Sequence, residues 1–356
     1  MLPRAALAAF TLSVFAASAC GSSDPDPTSG GDGTSTGPGS SSGSTAPAPT
    51  TSSTQPSSSG QPPATGNHAI KTVFVIVMEN HSWSTIKASS SAKYINDTLL
   101  KDGAHAEHYS TPPGNHPSEP NYIWLEAGDN LGITTDDDPA TNHQPATTDH
   151  LTAQLDKAGI SWKSYVENID AGACPLASNG LYGAKHTPQL FFDDVTDKNS
   201  EKSQKCIDHI RPYGELTGDL NSNKVARYNF ITPNLCNDMH GEVLGTTCQA
   251  LFSDTIKLGD KWLSTEIPKI QSSQAYKDGG VIFVVWDEGD ESLGSEAEDG
   301  PIPFFVLSPL AKKGYSAPTE FTHSSMLRTV ETIFGVPFLR DANKAKDLGE
   351  MFTSFP

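Results

Sequence analysis

Two apolar runs in this chain end abruptly in groups that could hold a cation. Val73 to Met78 is followed by Glu79, Asn80 and His81, and Gly280 to Trp286 by Asp287, Glu288, Gly289 and Asp290. Oxygen donors suit hard cations, while the amide and imidazole leave softer metals open. A cation held by Glu79, Asn80, Asp287 and Glu288 would lower the pKa of a coordinated Ser118 hydroxyl. It would also neutralise the oxygens of a transferring phosphoryl group. His116, His186, His240 and His323 supply imidazoles that could protonate a leaving alcohol or activate water. Asp238 completes the set. Each residue has an ordinary structural use as well: Ser118 or Glu79 as a helix cap, Asp287 to Asp290 as a solvated turn, His323 as a polar helix start. Their joint occurrence near the ends of predicted strands, in four or five loops, is what points to a crevice.

The elements that must position these groups follow from periodicity. The two apolar runs read as strands buried on both faces, and ligands of open α/β sheets gather at the carboxyl ends of such strands. Ser84 to Asp102 reads as a helix closed by Gly103, and Pro120 to Ala127 as another, which puts Ser118 at or just before a helix N-terminus that favours an anion. Asp149 to Ala158 reads as a short helix capped by Thr147 or Thr148. Asp254 to Ser272 is a longer helix, and the segment after Thr322-His323-Ser324-Ser325 is a further one to Phe334. Strands are expected at Ile160 to Val166, Val225 to Ile231 and Ile302 to Leu307, with a turn-rich stretch from Asn168 to Tyr213. Glu291 to Asp299 reads as a solvated acidic loop without chemistry. The alternation gives a layered α/β/α domain with a mainly parallel central sheet.

The chain opens with Arg4, an apolar stretch from Ala5 to Ala16, and Ala17-Ser18-Ala19-Cys20-Gly21. That is a secretory signal, too short for a membrane span. Small residues before Cys20 resemble a bacterial lipobox, although Ala17 stands where Leu is more frequent; lipidation of Cys20 would anchor the protein to a membrane. An ordinary cleaved signal with release to the medium is the other outcome. Residues 21–67 are almost wholly Ser, Gly, Thr, Pro, Asp and Ala and form a flexible tether, leaving 68–356 as one domain. The net charge is −18. Before His68 only Arg4, Asp24, Asp26 and Asp32 are charged, so the domain itself is strongly acidic and unsuited to nucleic acid. Cys174, Cys206, Cys236 and Cys248 form an even set, and sequence proximity favours Cys174–Cys206 and Cys236–Cys248 disulfides. A zinc site competes, but no C-x-x-C pair is present.

The motifs together resemble the bacterial phosphoesterase family of acid phosphatases and phospholipases C, within the wider alkaline phosphatase superfamily. Glu79-Asn80-His81-Ser82 is similar to its opening E-N-x-S motif. Pro117-Ser118-Glu119-Pro120-Asn121 is similar to its P-S/T-x-P-N segment. His186-Thr187-Pro188 resembles H-N-P with Thr187 in place of Asn. Ile231 to His240 resembles the I-x-P-N-x-x-x-D-x-H stretch, Trp286 to Gly289 the W-D-E-G motif, and His323-Ser324-Ser325 the terminal segment. The resemblance implies an alkaline-phosphatase-like fold, a divalent metal ion, Glu79, Asn80, Asp287 and Glu288 as its ligands, and a phosphoserine formed on Ser118. It implies His186, Asp238, His240 and His323 as pocket groups that contact phosphate or the leaving group; His116 is a further catalytic candidate, and Asn121, with Asp238, a candidate substrate contact. The short chain is more similar to secreted acid phosphatases that act on phosphomonoesters, including phosphoinositides.

The resulting expectation is an exported, lipid-anchored, metal-assisted phosphomonoesterase. A phospholipase C cutting a lipid phosphodiester is one rival, and a surface-displayed binding protein without turnover is another.

Overall fold

A computed structural model describes residues 68–144, 147–243, 246–248, 254–290 and 298–356. The expected signal, Cys20 and tether lie outside the described residues, as does most of the acidic stretch from Glu291. Among the described residues an eight-stranded sheet runs in the order β10-β2-β9-β8-β1-β5-β3-β4. Its strands are β1 Thr72–Met78, β2 Ala104–Ser110, β3 Trp162–Val166, β4 Ile210–Pro212, β5 Tyr228–Thr232, β8 Gly280–Trp286, β9 Phe304–Leu307 and β10 Tyr315–Thr322. A separate two-stranded ribbon pairs β6 Glu242–Val243 with β7 Thr246–Thr247. Within the eight-stranded sheet, pairing is parallel except at β9, which runs antiparallel to both β8 and β2. The sheet is therefore mainly parallel, as expected.

β1 and β8 lie side by side and every residue of both is buried. Strands covered on both faces need continuous apolar sequence, which is what the Val- and Ile-rich runs provide. Their register sets Met78 against Trp286, so the next residues, Glu79 and Asp287, emerge level with each other. The ladder carries on past the strands: Asp287 N–H donates to Met78 O at 3.0 Å, and Glu79 N–H to Asp238 O at 2.8 Å. The loop after β5 is thereby drawn alongside β1.

Several expectations are corrected. The helix expected from Ser84 to Asp102 is broken. A short turn, Trp83–Ile86, is followed by Ala88 at φ +62°, and a π-helical turn, Ile95–Leu99, leads into Leu100–Asp102. Gly103 ends it in an extended rather than left-handed conformation, at φ −122°. Glycine is needed there for close approach: a Cβ would stand 2.6 Å from Val306 O on the neighbouring strand. The helix Leu151–Lys157 starts at His150, not at a threonine cap; Glu126 Oε1 accepts the Thr152 N–H from another helix at 2.8 Å. β2, β4 and β10 were not anticipated. Both expected disulfides form, Cys174–Cys206 and Cys236–Cys248.

Candidate active site

Three neighbouring strands, β8, β1 and β5, end in or lead to acidic groups, and the helix Ser118–Ala127 points its N-terminus at them. Ser118 is buried there. Its Oγ lies 3.2 Å from Glu79 Oε2, 3.3 Å from Glu288 Oε1 and 3.4 Å from Asn80 Oδ1. Asn80 takes a left-handed φ of +40°, a conformation asparagine tolerates better than most residues. This turn lets its N–H donate to Asp287 Oδ1 at 3.1 Å and its side-chain amide to Glu288 Oε1 at 3.2 Å. Glu79, Asn80, Asp287, Glu288 and Ser118 are thus brought together, as expected from the two strand ends and one helix start.

The electrostatics of this group are unfavourable without a cation. Burial, followed by the charges of Asp287 and Asp238, pushes the Glu79 carboxyl well above its usual range. Burial and then Glu288 do the same to Asp287, and burial does so to Asp238. Asp287 Oδ2, Asp238 Oδ2 and His186 Nε2 are buried without a hydrogen-bond partner. Ligand atoms of Glu79, His186 and Asp238 all lie within 4.8 Å of one another. Burying several carboxylates together is costly unless a positive charge compensates. The donor set therefore fits a divalent cation, through Glu79, Asn80, Asp287 and Glu288 on the Ser118 side and through Glu79, His186 and Asp238 behind it.

The histidines divide into two kinds. His116 is partly exposed and sits between two carboxylates, with Nδ1 2.7 Å from Glu288 Oε2 and Nε2 2.9 Å from Asp299 Oδ1. The Glu288 bond, with that of Asp299, raises its pKa to about 9 against the effect of burial. It lines an open cleft with Pro117, Glu288 and Glu298. His240 is half-buried on the β5 loop, its N–H donating to Asp238 Oδ1 at 2.8 Å. His186 is fully buried and held neutral by burial and by Lys185. His323 differs from the expected pocket-lining group. Its Nε2–H donates to Asp287 O at 2.7 Å and its Nδ1 accepts from Tyr109 at 3.2 Å, so neither nitrogen remains for a substrate. Burial lowers its pKa to about 4.

Asn121 and Asp238 also sit deeper than a substrate contact would. Asn121 Nδ2 donates to Asn115 O at 2.7 Å and Glu288 Oε2 at 3.2 Å, and its Oδ1 accepts from Asn115 at 2.9 Å. Asp238 is a buried carboxylate in an acidic group, which suits a cation better than a phosphate oxygen. Glu298 and Asp299, expected to be chemically idle, stand against His116. Asp299 also pins the preceding loop, accepting the Gly114 N–H at 2.8 Å and, through its carbonyl, the Thr111 N–H at 2.9 Å. Tyr122 was not singled out, yet its hydroxyl donates to Glu79 Oε1. Its spacing of four from Ser118 on one helix was the available signal.

The chain belongs to the Phosphoesterase family, whose model matches residues 101–337. It is therefore a hydrolase of phosphoric ester bonds. It is 26% identical over 280 residues to a phosphatidylinositol-3-phosphatase from Mycobacterium tuberculosis, covering 79% of this chain and 82% of that one. It is also 26% identical over 278 residues to a probable acid phosphatase from Kluyveromyces lactis, covering 76% of this chain but 60% of that longer protein. A solved structure of an alkaline phosphatase superfamily protein from Vibrio parahaemolyticus superposes with a TM-score of 0.54 at 12% identity, covering 82% of this chain and 74% of the other. That likeness concerns the fold, and it agrees with the expected alkaline-phosphatase-like architecture.

Proposed function

We propose that this chain is an exported, metal-dependent phosphomonoesterase that works through a phosphoserine on Ser118. The carrying observation is the position of Ser118 Oγ, within 3.2 to 3.4 Å of Glu79, Glu288 and Asn80 at a helix N-terminus. Glu79, Asn80, Asp287 and Glu288 would hold the cation, which when bound supplies positive charge for the Ser118 oxygen and for the phosphoryl oxygens. Ser118 Oγ forms a bond to phosphorus in line with the departing ester oxygen, and its proton passes to the facing carboxylate oxygen of Glu79. His116, which lines the cleft, gives a proton to the leaving alcohol as its Nε2 exchanges its Asp299 partner for the ester oxygen. It then takes one from the water that attacks the phosphoserine. Phosphate departs, and Ser118 Oγ recovers its proton from Glu79. Asn121 orients Glu288, and His323 holds the backbone of Asp287.

The phosphomonoester class is supported by the match to the Mycobacterium tuberculosis phosphatidylinositol-3-phosphatase over most of both chains. Export is supported by the two disulfides, which persist in oxidising compartments. No helix of the described residues is long and apolar enough to cross a membrane. In this reading, attachment rests on lipid at Cys20. The test compares an aryl phosphomonoester with the matching phosphodiester, with and without chelator. Monoester preference lost on chelation is expected. Preference for the diester would make the enzyme a phospholipase C-type hydrolase, and turnover untouched by chelation would remove the cation from the account.

A further inference from the structure

The helix Ser118–Ala127 does more than deliver Ser118. One turn further on, Tyr122 is fully buried. Its hydroxyl donates to Glu79 Oε1. Its ring stacks on His186, with centroids 4.8 Å apart and planes inclined by 12°, and meets Phe230 edge-on. Residues four apart share a helix face, so Ser118 and Tyr122 grip the two oxygens of one carboxylate. Ser118 Oγ meets Oε2 at 3.2 Å, and Tyr122 occupies Oε1, which is also 3.3 Å from His186 Nε2. Without the phenol, the Glu79 carboxylate could rotate about its terminal torsion, which is broad and two-fold.

We infer that Tyr122 is a positioning residue of the cation centre: it fixes the rotation of Glu79 so that one oxygen faces Ser118 and the other faces His186, and it carries His186 on its ring. The inference rests on the metal-centre reading above. Groups one layer behind metal ligands set ligand orientation, and their loss weakens metal binding about 10- to 100-fold.

The test uses the full chain, stripped with chelator and titrated with Mn²⁺, free ion being read by electron paramagnetic resonance. Tyr122→Phe keeps the ring, the stack on His186 and the Phe230 contact, and removes the hydroxyl alone. The expected result is unchanged stoichiometry with Mn²⁺ bound about tenfold more weakly. Turnover of an aryl phosphomonoester should fall at limiting Mn²⁺ and recover at saturating Mn²⁺. A folded Tyr122→Phe with the parent's Mn²⁺ affinity would overturn the inference, as would a lowered melting temperature with affinity unmoved. If the parent chain itself bound no Mn²⁺, the metal-centre reading would fall and this inference with it. The two failures are thus distinguishable.

Discussion

Ser118 Oγ and Glu79 Oε2 stand 3.2 Å apart although 39 residues separate them in the chain. Two different devices make the meeting: β1, clamped between β8 and β5, fixes Glu79, and a helix N-terminus fixes Ser118. Ser118→Ala removes the attacking oxygen and leaves the carboxylates in place. The expected outcome is a fall in kcat of about 10⁴-fold or more, with circular dichroism and thermal melting unchanged.

A second acidic centre serves stability rather than chemistry. His150 is fully buried, with Nδ1 2.9 Å from Glu126 Oε1 and Nε2 2.9 Å from Asp194 Oδ1, and it stacks on Phe192 at 3.9 Å. Burial would lower its pKa, but the bonds to Asp194 and Glu126 carry it upward. Burial would raise Asp194, yet His150 and Lys205 hold it at about 2. The histidine's contribution is complete below about pH 6.5 and is lost as pH rises through its raised pKa. The aspartate's is complete above about pH 3.9 and is lost as pH falls towards about 2. Urea unfolding should therefore show a plateau from this pair between roughly pH 4 and 6.5. His150→Ala should cost about 3–5 kcal/mol there, since it strands a buried carboxylate.

Glu331 gives the opposite pH signature to Asp194. Its Oε1 accepts the Leu339 N–H at 2.7 Å, while Oε2 is buried without a partner. Burial raises its pKa to about 9, despite that hydrogen bond. The folded chain holds this proton and the unfolded chain releases it near pH 4.5, so stability falls as pH rises from there through about 9. Glu331→Gln keeps the acceptor and removes the charge. It should stabilise the protein at pH 9 by on the order of a few kcal/mol, with the gain vanishing near pH 5 in thermal melts.

The two disulfides should separate by function. Cys174–Cys206 closes 32 residues of chain, and its removal should lower stability by about 3–4 kcal/mol. Cys236–Cys248 brackets Asp238 and His240. The Cys236→Ser, Cys248→Ser double variant should lose turnover, roughly tenfold by analogy with other displaced supporting groups, at a smaller cost in melting temperature than the Cys174→Ser, Cys206→Ser variant.

How much of this was legible in the sequence depended on burial. β1 and β8 are covered on both faces, so their apolar runs were unmistakable, and the groups that follow them were placed correctly at one sheet edge. β10 buries Ala317 and Phe321 but exposes Ser316, Pro318 and Glu320, as an edge strand does. With so thin an apolar pattern it reads as loop. β2 carries His105, Glu107 and His108 and was lost for the same reason. Asp299 met His116 across 183 residues, a pairing no local pattern encodes. His323 was found as a helix start, but its two hydrogen bonds inward could come only from the packed structure.

The most direct test of the central proposal is to trap the intermediate. The metal-loaded chain would be mixed with an aryl phosphomonoester, quenched in acid within the first turnover, digested and mapped by mass spectrometry. The account predicts one phosphate on Ser118, absent from Ser118→Ala. Phosphate on another side chain, or a Ser118→Ala variant that turns over at the parent's rate, would contradict it.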